Sequence, residues 1–282
     1  MQKLSITTAP LNRLIGRDYA DLPSTIEVMQ RLMNLRVVDG FEFQALAEWD
    51  GREPPRDEYN RDDYGRGPRH RVWEKAPKYD YTRLGALLKE SSVPILSIHA
   101  NRDVGICLCS GDLELVSRGI RLLHDTLSLA ESVGAKMAVF HLWDTWNEKF
   151  DPEFLRRTLI DAASSHPDVI PAIENVPTHL PDYTPFSLTR LFDSIVLDTQ
   201  WASMYDELQH FEDIKGQIVN VHLRGRLEGE DWTLDDAPFS FWEVIETIRD
   251  GWGYRGLFTL EPRGGLTPNA WNHFLRAMAR LR

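Results

Sequence analysis

Eight short apolar runs, each followed by a helix or helical segment, predict an α/β chain folded as a single (β/α)8 barrel of the TIM type. Three observations carry that expectation. The alternation is unbroken, which calls for parallel strands joined by right-handed crossovers. The length of 282 residues is long for an ordinary domain but normal for such a barrel built as one unit. Six of the apolar runs also end in ionisable side chains, and these are almost never fully buried unless paired or bound to a metal. Parallel strands would gather those ends at the C-terminal rim, where barrels of this kind carry their active sites.

Leu4–Thr8 is the first run. Ser24-Thr25-Ile26-Glu27 has the spacing of a capping box, so a helix is expected from there to about Leu35, with Ile26, Met29, Leu32 and Met33 turned inward. Val37–Phe43 reads as the second strand, with Glu42 near its end. Asp50–Tyr79 then interrupts the rhythm with Arg, Asp, Glu, Pro, Gly and Tyr and no period; a loop of that length is a functional lid or a solvated insertion. Tyr81–Glu90 is helix-like, and Ile95–His99 is the third strand. Asp112 opens a long amphipathic helix that Gly134 closes. Met137–His141 is the fourth strand, and Asp151-Pro152-Glu153 is a helix start with a capping acid and Pro in the first turn.

The fifth strand lies in Val169–Pro177, an apolar run that ends in Glu174 and reads as buried on both faces. Pro181–Phe192 is loop and short helix, Ile195–Asp198 the sixth strand, and Met204–Ile214 a helix. Ile218–His222 is the seventh strand and Gly225–Pro238 a polar loop. Ser240–Arg249 is a helix, Leu257–Glu261 the eighth strand, and Thr267-Pro268 caps the last helix. The chain is thus expected to be one domain, residues 1–282, with an insertion at about 50–79.

Glu42, His99, His141, Glu174, Asp198, His222 and Glu261 all fall at the C-terminal ends of these strands. Glu174, Asp198, His222 and Glu261 offer three carboxylates and an imidazole, a donor set suited to Mn²⁺, Mg²⁺, Co²⁺ or Zn²⁺. One divalent ion would let three carboxylates meet without prohibitive repulsion; the alternative is that each pairs with a nearby arginine. His99 and His141 read as ligands of a second metal, as substrate donors or as satisfied histidines at the barrel mouth. Arg102, Arg224 and Arg263 follow the third, seventh and eighth strands and could clamp a carboxylate or phosphate, or offset the acidic site. Trp143, Trp146 and Trp201 follow the fourth and sixth strands and could wall a sugar pocket or simply pack.

Composition narrows the partners. Hydrophobic residues at 42% and charged residues at 27% make a soluble globular mixture, and no apolar run approaches the roughly 20 residues a membrane span needs. The start of the chain lacks the regions of a signal peptide, which points to the cytoplasm. A formal net charge of -11 argues against nucleic acid as a partner and leaves a small-molecule substrate as the expectation. The sequence leaves a homo-oligomer open. Cys107 and Cys109 are too close in sequence for an easy disulfide and read as reduced bystanders.

With these residues placed, the chain resembles the xylose isomerase-like superfamily of TIM barrels, which takes in sugar and sugar-phosphate isomerases and epimerases and the endonuclease IV-type nucleases of AP endonuclease family 2. The marks are S-I-H-A at 97–100, A-E-S-V-G-A-K-M-A-V-F-H at 130–141, A-I-E-N-V at 172–176, V-L-D-T at 196–199, V-H-L-R at 221–224 and G-Y-R-G-L-F-T-L-E at 253–261. The resemblance implies one divalent ion held by Glu174, Asp198, His222 and Glu261. It further implies that Glu174 and Glu261 move a proton through an enediolate, one as base and the other as acid. His99, His141, Arg224, Arg263, Trp143 and Trp201 would then contact the substrate. The implied activity is isomerisation or epimerisation of a small sugar, sugar phosphate or related polyhydroxy carbonyl compound. A metal-dependent lyase or dehydratase, of the inosose or dehydroshikimate type, is the alternative.

Three departures qualify the resemblance. Trp201 stands where the family's sixth-strand motif usually has His. The segment after His222, L-R-G-R-L-E-G-E-D-W, lacks the second His with which the nucleases build a multinuclear zinc site, which disfavours an endonuclease IV-like hydrolase. Val176 stands where xylose isomerase itself has Lys, so its hydride-shift chemistry is not implied.

Overall fold

The computed structural model describes residues 3–56, 69–234 and 240–282. Its strands are β1 (Lys3–Thr7), β2 (Gly40–Gln44), β3 (Ile95–His99), β4 (Met137–Phe140), β5 (Ile170–Glu174), β6 (Ile195–Asp198), β7 (Ile218–Glu228), β8 (Asp231–Thr233) and β9 (Leu257–Gly264). β1 through β7 pair in sequence order and all parallel, β7 pairs parallel with β9, and β9 pairs parallel with β1. The ring therefore closes on eight parallel strands with helices between them, a (β/α)8 TIM barrel. Only β8 lies outside it, antiparallel to the far end of β7.

Period-two alternation divides each strand between two environments. Leu4, Ile6, Phe41, Phe43, Ile98, Phe140, Ile173, Leu197, Val221, Phe258 and Leu260 belong to the large core shared with the helices. Their neighbours form the barrel interior. On one side it is a small apolar cluster of Met137, Val139, Ala172 and Val196. The buried polar residues Ser5, Thr7, Glu42, Ser97, His99, Asn220, His222, Thr259 and Glu261 occupy the alternate strand positions elsewhere. Burial in such a layer costs each ionisable group its hydration, and hydrogen bonds and ion pairs among the side chains offset part of that cost.

Helices α1 (Leu22–Asn34), α2 (Arg69–Lys75), α3 (Tyr81–Ser91), α4 (Asp103–Leu108), α5 (Leu113–Val133), α6 (Pro152–Ala163), α7 (Pro185–Thr189), α8 (Thr199–Met204), α9 (Phe241–Glu246) and α10 (Trp271–Leu281) fill the connections. Several differ from the sequence expectation. The cap of α1 is Asp21, which accepts from Ser24 N, so Ser24 lies inside the helix and the Ser24–Glu27 box does not form. Pro23 in the first turn explains the earlier start, since Pro is tolerated where N–H groups are unpaired anyway. Val28 is buried on that helix, whereas Ile26 and Met33 only flank the core.

The helix expected at Met204–Ile214 is instead α8, starting at Thr199, followed by a kinked 3₁₀ stretch at Leu208–Gln217. Asp198 is the cause: its carboxylate caps α8 by accepting from Gln200 N and Trp201 N. The expected loop Gly225–Pro238 is in its described part a continuation of β7 and a hairpin to β8, anchored by the buried Trp232 against Phe241 and Phe274; residues 235–239 lie outside the described residues. Thr267 makes no side-chain cap; Pro268–Ala270 is a 3₁₀ turn that leads into α10. Among the described residues no helix is long and apolar enough to cross a membrane.

The expected insertion has its two described arms fixed by buried acids. Asp103, just beyond β3, accepts from the Arg56 backbone N–H at 3.1 and 3.0 Å and pairs with Arg118 at 2.7 Å. Arg118 also donates to the Pro54 carbonyl. On the return arm, Glu48 receives Arg69 Nε at 2.6 Å and Tyr19 Oη at 2.7 Å on one oxygen, and a second Arg69 nitrogen at 3.0 Å on the other. The expectation of a functional lid or a solvated insertion falls on Asp50–Tyr79, of which residues 57–68 lie outside the described residues.

Burial pushes the Glu48 carboxyl up, but Arg69 and Tyr19 outweigh it and hold the group below its usual range. A carboxylate with a depressed folded pKa contributes stability above its unfolded value of 4.5 and loses it as pH falls through the folded one. Glu48→Gln should therefore cost about 3 kcal/mol at neutral pH, because it leaves Arg69 half-paired in a buried place. Urea unfolding of the two proteins should converge as the solution is acidified.

Candidate active site

The strand register builds the site. Asp198 is paired with His222 across β6 and β7, and Arg224 with Glu261 across β7 and β9. Glu174 ends β5 beside Val196. One ligand atom from each of Glu174, Asp198, His222 and Glu261 can be chosen so that all lie within 4.8 Å of one another, and all four residues are buried. Two donors on opposite sides of one ion, each at about 2.0–2.4 Å, span a distance of that size.

Three atoms of this cluster are buried without a hydrogen-bond partner among the described residues: Glu174 Oε1, Asp198 Oδ2 and His222 Nδ1. Buried polar atoms are rarely left so. Asp198 explains the pattern in part, since its cap to α8 uses Oδ1 and leaves Oδ2 toward the cluster. The donor set, the spacing and the unpartnered atoms all fit a divalent cation.

Arg224 lies among the same acids. Its Nε and one terminal nitrogen contact Glu261 Oε2 at 2.7 and 2.6 Å. Nε is also 3.0 Å from Asp198 Oδ2, an ion-pair contact without hydrogen-bond geometry. The terminal nitrogen is 3.9 Å from Glu174 Oε1. The guanidinium stacks over Trp201, 4.8 Å from its ring centre. Both alternatives in the sequence, a cation site and pairing with an arginine, thus converge on the same oxygens.

The histidines are shared out among the acids. His99 Nε2 and His141 Nε2 approach one oxygen of Glu174 at 3.1 and 3.0 Å. Burial works against charge on both rings, yet contact with Glu174 raises the pKa of His99 while burial wins at His141 and lowers it. One carboxylate oxygen cannot balance two imidazolium rings. The proton belongs on His99, whose Nδ1 also lies 2.9 Å from the Ala100 carbonyl. His99, His141 and Glu174 form a second group of ligand atoms close enough for an ion.

The carboxylates titrate apart. Burial pushes Glu174 up, but His141 and His222 hold it well below its usual range. Burial likewise opposes charge on Glu261, and Arg224 lowers it overall. Asp198 has the opposite balance: burial, with Glu174 and Glu261 nearby, pushes it up to about 7 despite Arg224.

Around this centre, Arg263 donates to Gln200 Oε1 at 2.8 Å and ties β9 to α8. Trp143 is buried, with its indole N–H on the Pro177 carbonyl, so it joins the loops after β4 and β5. Trp201 is half-buried, and its indole N–H has no hydrogen-bond partner among the described residues. Trp146, 40% exposed, stacks on His179 at 4.7 Å between centroids. Arg102 is exposed at the start of α4. Cys107 and Cys109 are free and buried, their thiols pushed up to about 11 and about 12 by burial, which leaves them inert.

Beneath the ligands lies a polar layer that the strand-end residues alone do not reveal. Glu42 accepts from Ser97 Oγ at 2.8 Å, Asn220 Nδ2 at 3.3 Å and His222 Nε2 at 3.2 Å, and Thr259 donates to Asn220 Oδ1 at 3.0 Å. The signal is nevertheless present in the sequence. Ser97, Asn220 and Thr259 each precede a strand-end His or Glu by two residues, and two residues along a strand is the same face.

No protein-family model matches the chain, and no curated protein does. Solved structures do. A sugar phosphate isomerase/epimerase from Parabacteroides distasonis superposes with a TM-score of 0.61 at 12% identity, over 99% of this chain and 95% of that one. The 3-keto-D-glucoside 4-epimerase from E. coli gives 0.57 at 14% identity over 100% of both chains. Endonuclease IV from Thermus thermophilus gives 0.55 at 16% identity, again over 100% of both. The likeness is one of fold: these structures share the (β/α)8 barrel of this chain.

Arg224 is the buried counter-charge of the cluster, so Arg224→Met should lower stability by about 3–5 kcal/mol at neutral pH with EDTA present. Glu261, depressed in part by Arg224, stabilises the fold above its unfolded value of 4.5 and ceases to do so as pH falls through its folded value. The melting curves of mutant and wild type should therefore draw together on acidification; a constant gap would contradict this account of the cluster.

Proposed function

We propose that the chain is a divalent-metal-dependent isomerase or epimerase of a small polyhydroxy carbonyl compound such as a sugar or sugar phosphate. The observation that carries this reading is the convergence of Glu174, Asp198, His222 and Glu261 in one buried group with three unpartnered donor atoms. The solved structures of like fold lend support, since several are sugar epimerases or isomerases. In this reading the four residues hold one Mn²⁺, Mg²⁺, Co²⁺ or Zn²⁺ ion. When bound, the ion would act as a Lewis acid toward negative charge on the substrate oxygens.

The proton chemistry belongs to the carboxylates. Glu174 and Glu261 both have depressed pKa values and are ionised at neutral pH, the state in which either could accept a proton from the carbon beside a carbonyl. The proton would return on the opposite face in an epimerase, or at the neighbouring carbon in an isomerase. His99 and His141, which hold one oxygen of Glu174, would orient it and leave the other toward the centre. Trp201 has an unused N–H for a substrate oxygen.

A second reading has one observation in its favour. His99, His141 and Glu174 could hold a further ion beside the first, which suits a hydrolase of phosphodiesters. Metal content separates the two: one exchangeable ion per chain supports the isomerase, whereas two or more tightly bound zinc ions support the hydrolase.

Glu174→Gln and Glu261→Gln should each reduce turnover by about 10²–10⁴-fold or more, since each removes a general base or acid. A screen of ketoses and ketose phosphates in heavy water adds a finer readout. The variant lacking the first base should fail to exchange substrate protons for deuterium, while the other should exchange without completing the reaction. Near-normal turnover in both variants would overturn the assignment.

A further inference from the structure

Nothing in the four-ligand reading accounts for Glu42. It is completely buried in the middle of β2, and its carboxylate faces the Nε2 edge of His222. His222 Nε2 lies 3.1 Å from one Glu42 oxygen and 3.2 Å from the other. The opposite ring nitrogen, Nδ1, is buried, lacks a hydrogen-bond partner and is 3.4 Å from Glu174 Oε2.

We infer that Glu42 is the positioning residue for His222: it holds the Nε2 proton and so commits Nδ1, with its lone pair toward Glu174, Asp198 and Glu261, as the metal-binding nitrogen. This rests on the metal-site reading above and adds which atom binds and what determines it. A neutral imidazole has one donor and one acceptor nitrogen, and a carboxylate only accepts; both nitrogens face a carboxylate, but Nε2 makes a hydrogen bond to Glu42 whereas the 3.4 Å approach of Nδ1 to Glu174 lacks hydrogen-bond geometry, so the single proton of the neutral ring sits on Nε2. Ligating histidines are commonly oriented in this way by their second nitrogen.

The layer below fixes Glu42 in turn. Ser97 Oγ donates to it, and the Asn220 amide is set by Thr259, whose hydroxyl donates to Asn220 Oδ1 and so turns the NH₂ group toward Glu42. These residues come from β2, β3, β7 and β9, so the carboxylate is held from several directions across the barrel. Glutamine at this place would keep the shape, but its NH₂ group could face Nε2. That contact favours the tautomer with the proton on Nδ1, the atom the ion needs.

The first measurement needs no mutation. Wild-type protein labelled with ¹⁵N-histidine and loaded with Cd²⁺ should show His222, assigned by its loss in His222→Gln, with Nδ1 coupled to cadmium and Nε2 protonated; coupling through Nε2 would overturn the inference. Calorimetric titration with Mn²⁺ then compares variants checked for native folding by circular dichroism. Glu42→Gln should weaken binding by about 10–100-fold. Glu42→Asp, which keeps the charge on a shorter arm, should weaken it less. Affinity unchanged in a folded Glu42→Gln protein would also overturn the inference. A wild type that binds neither ion would defeat the metal-site reading itself, an outcome distinct from binding through the wrong nitrogen.

Discussion

The structure depends on keeping several carboxylates buried within a few ångströms of one another at the end of a closed barrel. Like charges in a medium of low polarity repel strongly, and each loses its hydration on entering. Glu42, Glu174, Asp198 and Glu261 meet that constraint with different partners. Glu42 faces His222 and two neutral donors, Glu174 faces three imidazoles, Glu261 takes the guanidinium of Arg224, and Asp198 takes backbone N–H groups of α8 on one oxygen. Asp198 is the least compensated, and it alone among the resolved shifts of these acids moves upward.

Much of this was legible in the sequence because a strand obeys a simple period. A polar residue ending an apolar run must point to one of two faces, and in a closed parallel barrel only the interior gathers residues from many strands. That logic located Glu174, Asp198, His222 and Glu261 and placed His99 and His141 beside them. It also contained the layer beneath, through Ser97, Asn220 and Thr259, although reading only strand ends passed over it. Arg224 was legible as a residue of the rim but not as the partner of Glu261, because that pairing depends on the register of β7 against β9.

The misreadings share a cause: local signals that tertiary contacts outweigh. Ser24 and Glu27 have capping-box spacing, yet Asp21 and Pro23 start the helix earlier and make the box redundant. Asp198 looked only like a strand-end ligand, but as the cap of α8 it moved the following helix toward the strand. Gly225 resembled the start of a loop, whereas it continues β7 where a Cβ would meet the Phe241 ring at 2.9 Å, so its lack of a side chain serves close packing. Helix α4 has few residues and no side-chain cap, and its place depends on the same close fit. A Cβ on Gly105 would lie 2.5 Å from the His141 carbonyl.

That last contact links fold to site in a way composition cannot. Gly105 lets α4 press against the backbone of His141, while Asp103 at the start of the same helix holds the outgoing arm of the insertion. The loop after β3 therefore supports the residue that follows β4 and the segment that follows β2. A similar junction exists across the barrel, where Arg263 near the end of β9 holds Gln200 in α8, whose first turn is capped by Asp198. The rim is thus a set of loops that brace one another rather than independent attachments to the strands. Those contacts tie loops that follow different strands to one another, next to side chains of the cluster that also come from different strands.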